Sequence, residues 1–188
     1  MKRAFELLIA LSIISMFMVS PVYAATSQGL EWGIALGDRF DFTMADTDDN
    51  INEQMYMNIT KMPSAAIPDP LEYWTSIPQP DVGIYWANGT EMGLYALIFL
   101  GLLVTGGAIV VPVGNFTLLS QLLAPTLIGE EIVEDASTWG VIVGNEINAT
   151  HEQRVVAKYA KSDGFLVEYS LQVVESASDT VVSSFSVR

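Results

Sequence analysis

MGLYALIFLGLLVTGGAIVVPV, residues 92–113, runs for twenty-two positions without a charge, and its reading decides the fold. About twenty apolar residues in a helix cross the ~30 Å hydrocarbon layer of a membrane. Three features speak against a span. Gly101, Gly106-Gly107 and Pro112 interrupt the run, and no Lys or Arg lies between Met62 and Gln153 to anchor a cytoplasmic end. Asn88-Gly-Thr90 and Asn115-Phe-Thr117, both N-glycosylation acceptor patterns, stand on either side, and a span would put one of them in the cytoplasm. The run is therefore read as the buried centre of a soluble domain, with no transmembrane span in the mature chain. Thr90 can cap a helix there and Glu91 suits its positive end. Leu94, Leu97, Ile98 and Leu102 mark one stripe of this helix, 94–104, while Phe99, Leu100 and Leu103 leave it no polar face. A helix apolar all round is expected to be buried all round.

The residues before this core begin with a targeting segment. Lys2 and Arg3 give a positive start, the following residues to Val19 are almost wholly apolar, and Val22-Tyr-Ala24 places small residues at minus three and minus one of a cleavage site after Ala24. The expected mature domain is then 25–188, a single extracellular unit long enough to bury a core. The full chain carries a formal charge of −14, and losing two basic residues and one acidic residue with the leader takes it to −15. Such a charge excludes nucleic acid as a partner and repels anionic lipid headgroups. There is no cysteine, so stability rests on burial rather than on the disulfides common in small exported domains. Asn58, Asn88, Asn115 and Asn148 all have Thr at plus two without an intervening proline, which agrees with export to a glycosylating surface.

Outward from the centre, alternation dominates. Residues 32–44 place Trp32, Ile34, Leu36, Phe40, Phe42 and Met44 on one face, and 55–60 return with Met55, Met57 and Ile59 inward and Asn58 outward. Five of the eight prolines fall in 63–80, so that stretch is a packed connection, with Asp69-Pro-Leu-Glu72 reading as the capped start of a short helix. Val82, Ile84 and Trp86 mark another strand. After the apolar run, 108–113 is extended, 115–123 a short amphipathic helix, and 129–135 an acidic connection. Runs at 139–147, 154–161, 165–175 and 180–188 follow as strands, the middle pair joined at Ser162-Asp-Gly164. Trp32-Gly33 and Trp139-Gly140 open two similar frames, W-G-aliphatic-x-aliphatic-G. The expected fold is α+β: a curved antiparallel sheet of about seven strands, half-barrel-like, clasping an apolar helical insertion.

Chemistry is sparse. His151 is the only histidine, and a lone histidine in a polar turn is more often incidental than a base. Nucleophile elbows, zinc-binding pairs and phosphate loops are absent from the sequence. Glu130, Glu131, Glu134 and Asp135 offer carboxylates for a hydrolase but read as a solvated loop. Asp46, Asp48 and Asn50 are oxygen donors at alternate positions, of the kind calcium takes. The sixth position lacks glycine, however, and Met57 stands at the twelfth, so an ordinary acidic turn is favoured. No cofactor, catalytic residue or metal site is assigned.

The leader, Trp32-Gly-Ile-Ala-Leu-Gly-Asp-Arg-Phe40, Tyr85-Trp-Ala-Asn-Gly-Thr90, Val111-Pro-Val-Gly-Asn-Phe-Thr-Leu-Leu119 and Lys161-Ser-Asp-Gly-Phe-Leu166 together resemble the choice-of-anchor S type of archaeal surface protein. Members commonly end in a hydrophobic anchor, whereas this sequence ends at Arg188 after a strand-like run. More loosely, hairpins around an apolar insert are similar to the half-barrel lipoprotein carriers of the LolA kind. That second resemblance implies binding of a lipid-like ligand. The bulk of the apolar run itself makes 94–104 the expected lining or plug of a pocket under the sheet, with Leu94, Leu97, Ile98, Phe99 and Leu102 meeting Phe40, Phe42, Trp86, Tyr169 and Phe185 from the clasping strands. The expectation is a secreted or cell-surface non-enzymatic module that binds such a ligand or, alternatively, an adhesive envelope domain with a packed core, with cell-envelope components as partners in either case.

Overall fold

The computed structural model describes residues 25–93, 96, 108–126 and 130–188. The leader and the apolar helix expected at 94–104 lie outside these residues, apart from Ala96, and so do Leu94, Leu97, Ile98, Phe99 and Leu102. Eight strands form one open antiparallel sheet: β1 (Arg39–Asp46), β2 (Ile51–Lys61), β3 (Asp81–Trp86), β4 (Glu130–Glu134), β5 (Thr138–Asn148), β6 (His151–Ala160), β7 (Leu166–Glu175) and β8 (Thr180–Val187). Their spatial order is β3-β2-β1-β8-β7-β6-β5-β4. Among the described residues, one helix, α1 (Phe116–Leu123), and two 3-10 turns, Trp74–Ser76 and Ala124–Thr126, complete the regular structure.

The count of eight corrects the expected seven. The added strand is β4, whose four carboxylates in the six residues 130–135 read as a loop. It pairs along its whole length with β5, from Glu130 opposite Val143 to Glu134 opposite Trp139. Charge is tolerated there because β4 is an edge, where acidic side chains also deter pairing with another chain. Two meanders, β1 to β3 and β4 to β8, meet along a short seam in which only Met44, Ala45 and Asp46 pair with β8.

Side chains alternate across the sheet and only one face carries the core. Phe42, Met44, Met55, Met57, Ile59, Trp139, Val141, Val155, Ala157, Tyr159, Tyr169 and Val187 are buried on it. Irregular chain covers this inner face: Leu30, Trp32 and Ile34, then Ile67, Leu71, Trp74 and Ile77 of the proline-rich stretch, then Val110 and Val111, and finally Leu119 and Leu123 of α1. Trp139 ties the layers together, with its ring against Trp74 at 6.2 Å, Phe116 at 5.8 Å and Tyr159 at 5.8 Å, and its Nε1 donating to Ser120 Oγ at 2.9 Å.

Two local expectations change. Residues 32–38 do not extend β1; they cross the inner face, turn at Ala35 to Asp38, and join the sheet only at Arg39. Asp69 does not cap a helix, since its carboxylate accepts from Ser27 N and Ser27 Oγ, both at 2.6 Å, and only the 3-10 turn at Trp74 forms. Those bonds, the hydroxyl's first, hold the Asp69 carboxyl below its usual range. The α1 reading stands: Asn115 is the N-cap, its Oδ1 accepting Leu118 N at 3.0 Å.

The run 108–113 is extended and buried. Val111 N donates to Gly164 O and Leu166 N to Ile109 O, both at 2.9 Å, so this run lies across the β6–β7 turn. A Cβ on Gly164 would stand 1.9 Å from Val111 O, and the residue has φ +75°. Glycine is needed here for both reasons. Tyr159 fixes the start of the run, donating its hydroxyl to Ala108 O at 2.7 Å. Complete burial pushes that phenol's pKa far up.

Candidate functional site

The inner face holds the five described aromatic residues assigned to a ligand pocket, Phe40, Phe42, Trp86, Tyr169 and Phe185, and the sheet register separates them into three groups. Phe40 and Phe42 share a side of β1, and both meet Phe165: Phe40 stacks on it at 3.7 Å with the planes 12° apart, and Phe42 lies 6.1 Å away. At the other end of β1, Phe185 meets Tyr169 edge-on at 6.4 Å. Trp86 sits apart on edge strand β3, opposite Met55. Phe42 and Tyr169 are buried, whereas Phe40, Trp86 and Phe185 are half-buried. These rings are spent largely on each other and on Phe165.

Among the hollows bordered by described residues, two bear on the sequence reading. One, of about 280 Å³, lies against β3 and is lined by Val82, Ile84, Tyr85, Glu91, Gly93 and Ala96. It sits at the start of the uncharged run. The other, of about 130 Å³, is small and polar, bordered by Asp46, Asp48, Gln172, Ser183 and Phe185.

That polar hollow contains two of the three oxygen donors considered for calcium. Asp46 Oδ1 accepts the Asp48 and Asp49 N–H groups at 2.9 and 3.3 Å, and Asp48 Oδ2 accepts Ser183 Oγ at 2.6 Å. Asn50 has φ +52°, as the tight β1–β2 turn demands. Their lone pairs close a turn. Among the described residues no group of three or more His, Cys, Asp and Glu side chains could hold a metal.

Glu131 and Glu134 are three apart on β4, so they project to opposite faces, and Glu134 is paired with Lys161 Nζ at 2.7 Å. His151 is the first residue of β6, just after the β5–β6 turn, with its Nδ1 2.9 Å from Thr150 Oγ1. The strongest charge cluster lies on the outer face, where Glu168 receives Lys158 Nζ at 2.8 Å and Arg188 at 2.8 Å. Burial pushes the Glu168 carboxyl up, but the two cations outweigh it and hold it below its usual range. Sequence reading missed this cluster, because its three members come from separate strands and only the register brings them together. The same holds for Arg39, which lies 3.7 Å over the Tyr56 ring while that ring stacks on Tyr85 at 5.1 Å.

The four acceptor asparagines fall into different environments. Asn88 and Asn148 are exposed in hairpin turns. Asn148 Oδ1 takes Thr150 N, Thr150 Oγ1 and His151 N at 2.9 to 3.0 Å, and Asn88 Oδ1 takes Thr90 N at 2.9 Å. Asn115 is committed at both ends of its amide, capping α1 with Oδ1 and donating Nδ2 to Gln28 O at 2.7 Å. Asn58 lies mid-strand on the outer face, with its Oδ1 buried and without a hydrogen-bond partner among the described residues.

Searches against protein-family models, curated proteins and solved structures found no match to this chain. Among the described residues, no helix is long and apolar enough to cross a membrane.

Proposed function

We propose that this chain is an exported, non-enzymatic cell-surface module: a packed sheet domain that displays its acidic, glycosylated outer surface to other envelope components. The observation that carries this reading is the Phe40–Phe165 stack at 3.7 Å, since each ring gives to the other a face that would otherwise line a pocket. The leader, the acceptor patterns and the resemblance to choice-of-anchor S surface proteins support export. The separation of Glu131 from Glu134 across β4, and the use of Asp46 and Asp48 in closing a turn, support a role without catalysis or metal.

A second reading keeps the lipid-like ligand, with the sheet curving around the apolar run as in LolA-like carriers. The 280 Å³ hollow beside Val82 and Ile84 favours it, being close to the lower end of small-ligand sites at roughly 300 Å³. Native mass spectrometry of the exported protein, followed by organic extraction, separates the two. The surface-module reading expects a chain beginning at Ala25 whose only added mass is sugar; a co-purifying lipid would replace it with the carrier reading.

A further inference from the structure

We infer that the fold admits sugar at two of the four acceptor patterns, Asn88 and Asn148, and shuts it out at Asn58 and Asn115. This rests on the exported-surface reading above and names the sites at which that surface is modified. A transferring enzyme has to draw both the carboxamide and the Thr hydroxyl of a pattern into its own site. A sugar added before folding must also fit the folded chain afterwards. Both conditions turn on how far each pattern is tied to the rest of the fold.

Asn88 and Asn148 are tied to nothing beyond their own turns. Asn88 stands in the hairpin that follows β3, where Trp86 N donates to Thr90 O at 2.9 Å, Gly89 N donates to Trp86 O at 2.8 Å, and Gly89 has φ +86°. Asn148 ends β5, just before the turn into β6. Both asparagines and both partner threonines, Thr90 and Thr150, are exposed. Asn88 Oδ1 accepts from Thr90 N, and Asn148 Oδ1 from Thr150 N, Thr150 Oγ1 and His151 N. Each is an Asx turn that closes on itself. Neither Nδ2 donates a hydrogen bond among the described residues, so a sugar on it displaces no tertiary contact.

The other two patterns are bound across the fold. Asn58 pairs with Arg39 of β1 on one side and with Gly83 of β3 on the other. The middle residue of its pattern exchanges backbone bonds with the chain before β1, Ile59 N donating to Asp38 O and Gly37 N to Ile59 O, both at 2.9 Å. Its hydroxyl is committed too, Thr60 Oγ1 donating to Asp81 O at 3.0 Å. The carboxamide lies over Gly83 beside the Tyr85 ring: a Cβ on that glycine would stand 2.8 Å from Asn58 Oδ1 and 2.6 Å from Tyr85 Cε2. Asn115 is held by its whole amide, with Oδ1 accepting Leu118 N at 3.0 Å and Nδ2 donating to Gln28 O at 2.7 Å. Beside it, a Cβ on Gly114 would stand 2.1 Å from Gly29 O, and Thr117 is already in the first turn of α1. A sugar on Asn115 has to enter the contact that docks residues 28 and 29.

The transfer requires a saccharide activated on a lipid phosphate. Asn Nδ2 forms the bond to the anomeric carbon, the anomeric C–O bond breaks, the phosphate leaves with its electron pair, and the displaced amide proton passes to a base of the transferring enzyme. In the antiparallel order, β3 and β5 run the same way, so both sugars stand at one end of the sheet. The outer face, where Asn58 lies, stays bare protein for envelope contacts.

The test sets the folded chain against unfolded pieces of it. The full chain, secreted from an N-glycosylating host, is mapped by glycopeptide mass spectrometry. In parallel, the native unglycosylated chain and four synthetic peptides, one around each pattern, are offered to a single-subunit oligosaccharyl transferase with a lipid-linked saccharide. The expected result is sugar at Asn88 and Asn148 of the folded chain, none at Asn58 or Asn115, and acceptance of all four peptides. Asn88→Gln and Asn148→Gln should each remove one glycan mass, and the double variant both. Sugar at Asn58 or Asn115 of the folded chain overturns the inference, as does an unoccupied Asn88 or Asn148. A refused Asn58 or Asn115 peptide overturns it as well, because the exclusion would then belong to the local sequence and not to the fold. Failure of the native leader to secrete the chain counts instead against the export reading, and transfer in vitro reads the partition without the leader.

Discussion

Two segments of this chain carry nearly the same residues and fold differently. Trp32-Gly-Ile-Ala-Leu-Gly37 and Trp139-Gly-Val-Ile-Val-Gly144 share a frame and bury both the tryptophan and the aliphatic residue two places on, Ile34 and Val141. The second lies inside the sheet, with β4 on one side and β6 on the other. The first is no strand at all; its one bridge is Glu31 with Val113, and it turns back at Gly37, φ +89°. Alternation at period two says that an extended chain lies with one side on a core. It does not say which backbone accepts its hydrogen bonds. Residues 139–144 have β4 and β6 within reach in sequence, whereas 30–34 follow a turn and pair only with the short run 108–113.

Removing the tryptophans should separate the segments most sharply. Trp139 is fully buried, touches three other aromatic rings and has its Nε1 satisfied by Ser120. Trp139→Ala is expected to cost about 3–5 kcal/mol, measured by urea unfolding. Trp32 is 8% exposed and its Nε1 is buried without a hydrogen-bond partner among the described residues. Phenylalanine is the sharper probe, because at Trp32 it removes an orphaned donor while at Trp139 it breaks a bond and leaves Ser120 short of a partner. Trp139→Phe should therefore cost clearly more than Trp32→Phe. Equal losses would mean that the two segments are equivalent in energy despite their different pairing.

The glycines give a smaller contrast of the same kind. A Cβ at Gly140 would stand 2.2 Å from Ala157 O and 2.8 Å from Lys158 Cα, inside the β5–β6 ladder; one at Gly33 would stand 2.6 Å from Asp163 Cα, in the turn joining β6 to β7. Backbone in mid-sheet has less room to retreat than a turn. Gly140→Ala should cost about 2–3 kcal/mol and Gly33→Ala about 1 kcal/mol, read from denaturant midpoints. The reverse order would place the greater rigidity in the crossing segment.

How far the sequence showed the fold follows from the same physics. Strands β2, β3 and β5 to β8 were legible because each alternates and is bounded by turn residues, and α1 because Asn115 caps it. β4 was hidden, since carboxylates at an edge obey the edge's rules rather than the core's. Whether 32–38 belonged to a strand depended on a contact with Asp163, about 130 residues away, which no local pattern encodes. The site was less legible still. Phe40, Phe42, Tyr169 and Phe185 were correctly placed on one face by parity, but parity cannot say that Phe165 would fill the space between the first two.

The smallest expected effect lies just before Trp139, where Asp135 staples the start of β5. Its carboxylate accepts Ser137 N and Thr138 N at 2.7 Å each, then Thr138 Oγ1 at 2.8 Å and Ser137 Oγ at 3.0 Å. Those backbone donors first, and the hydroxyls after them, hold its carboxyl far below the usual range. The corresponding turn of the first segment has one such bond, Ala35 N to Asp38 Oδ2 at 2.7 Å. A carboxyl with a depressed folded pKa stabilises the fold above its unfolded value, about 4, and that contribution drains away as the pH falls from there toward the folded value. Asp135→Asn removes it at every pH. Its urea midpoint should therefore fall below that of the unmodified chain at pH 7, and the gap should narrow between pH 4 and pH 2. Asp38→Asn, giving up a single bond, should open a smaller gap at pH 7. A gap for Asp135→Asn that stays constant down to pH 2 would mean that the staple acts through shape alone and that the ionised carboxylate adds nothing to the β5 hairpin.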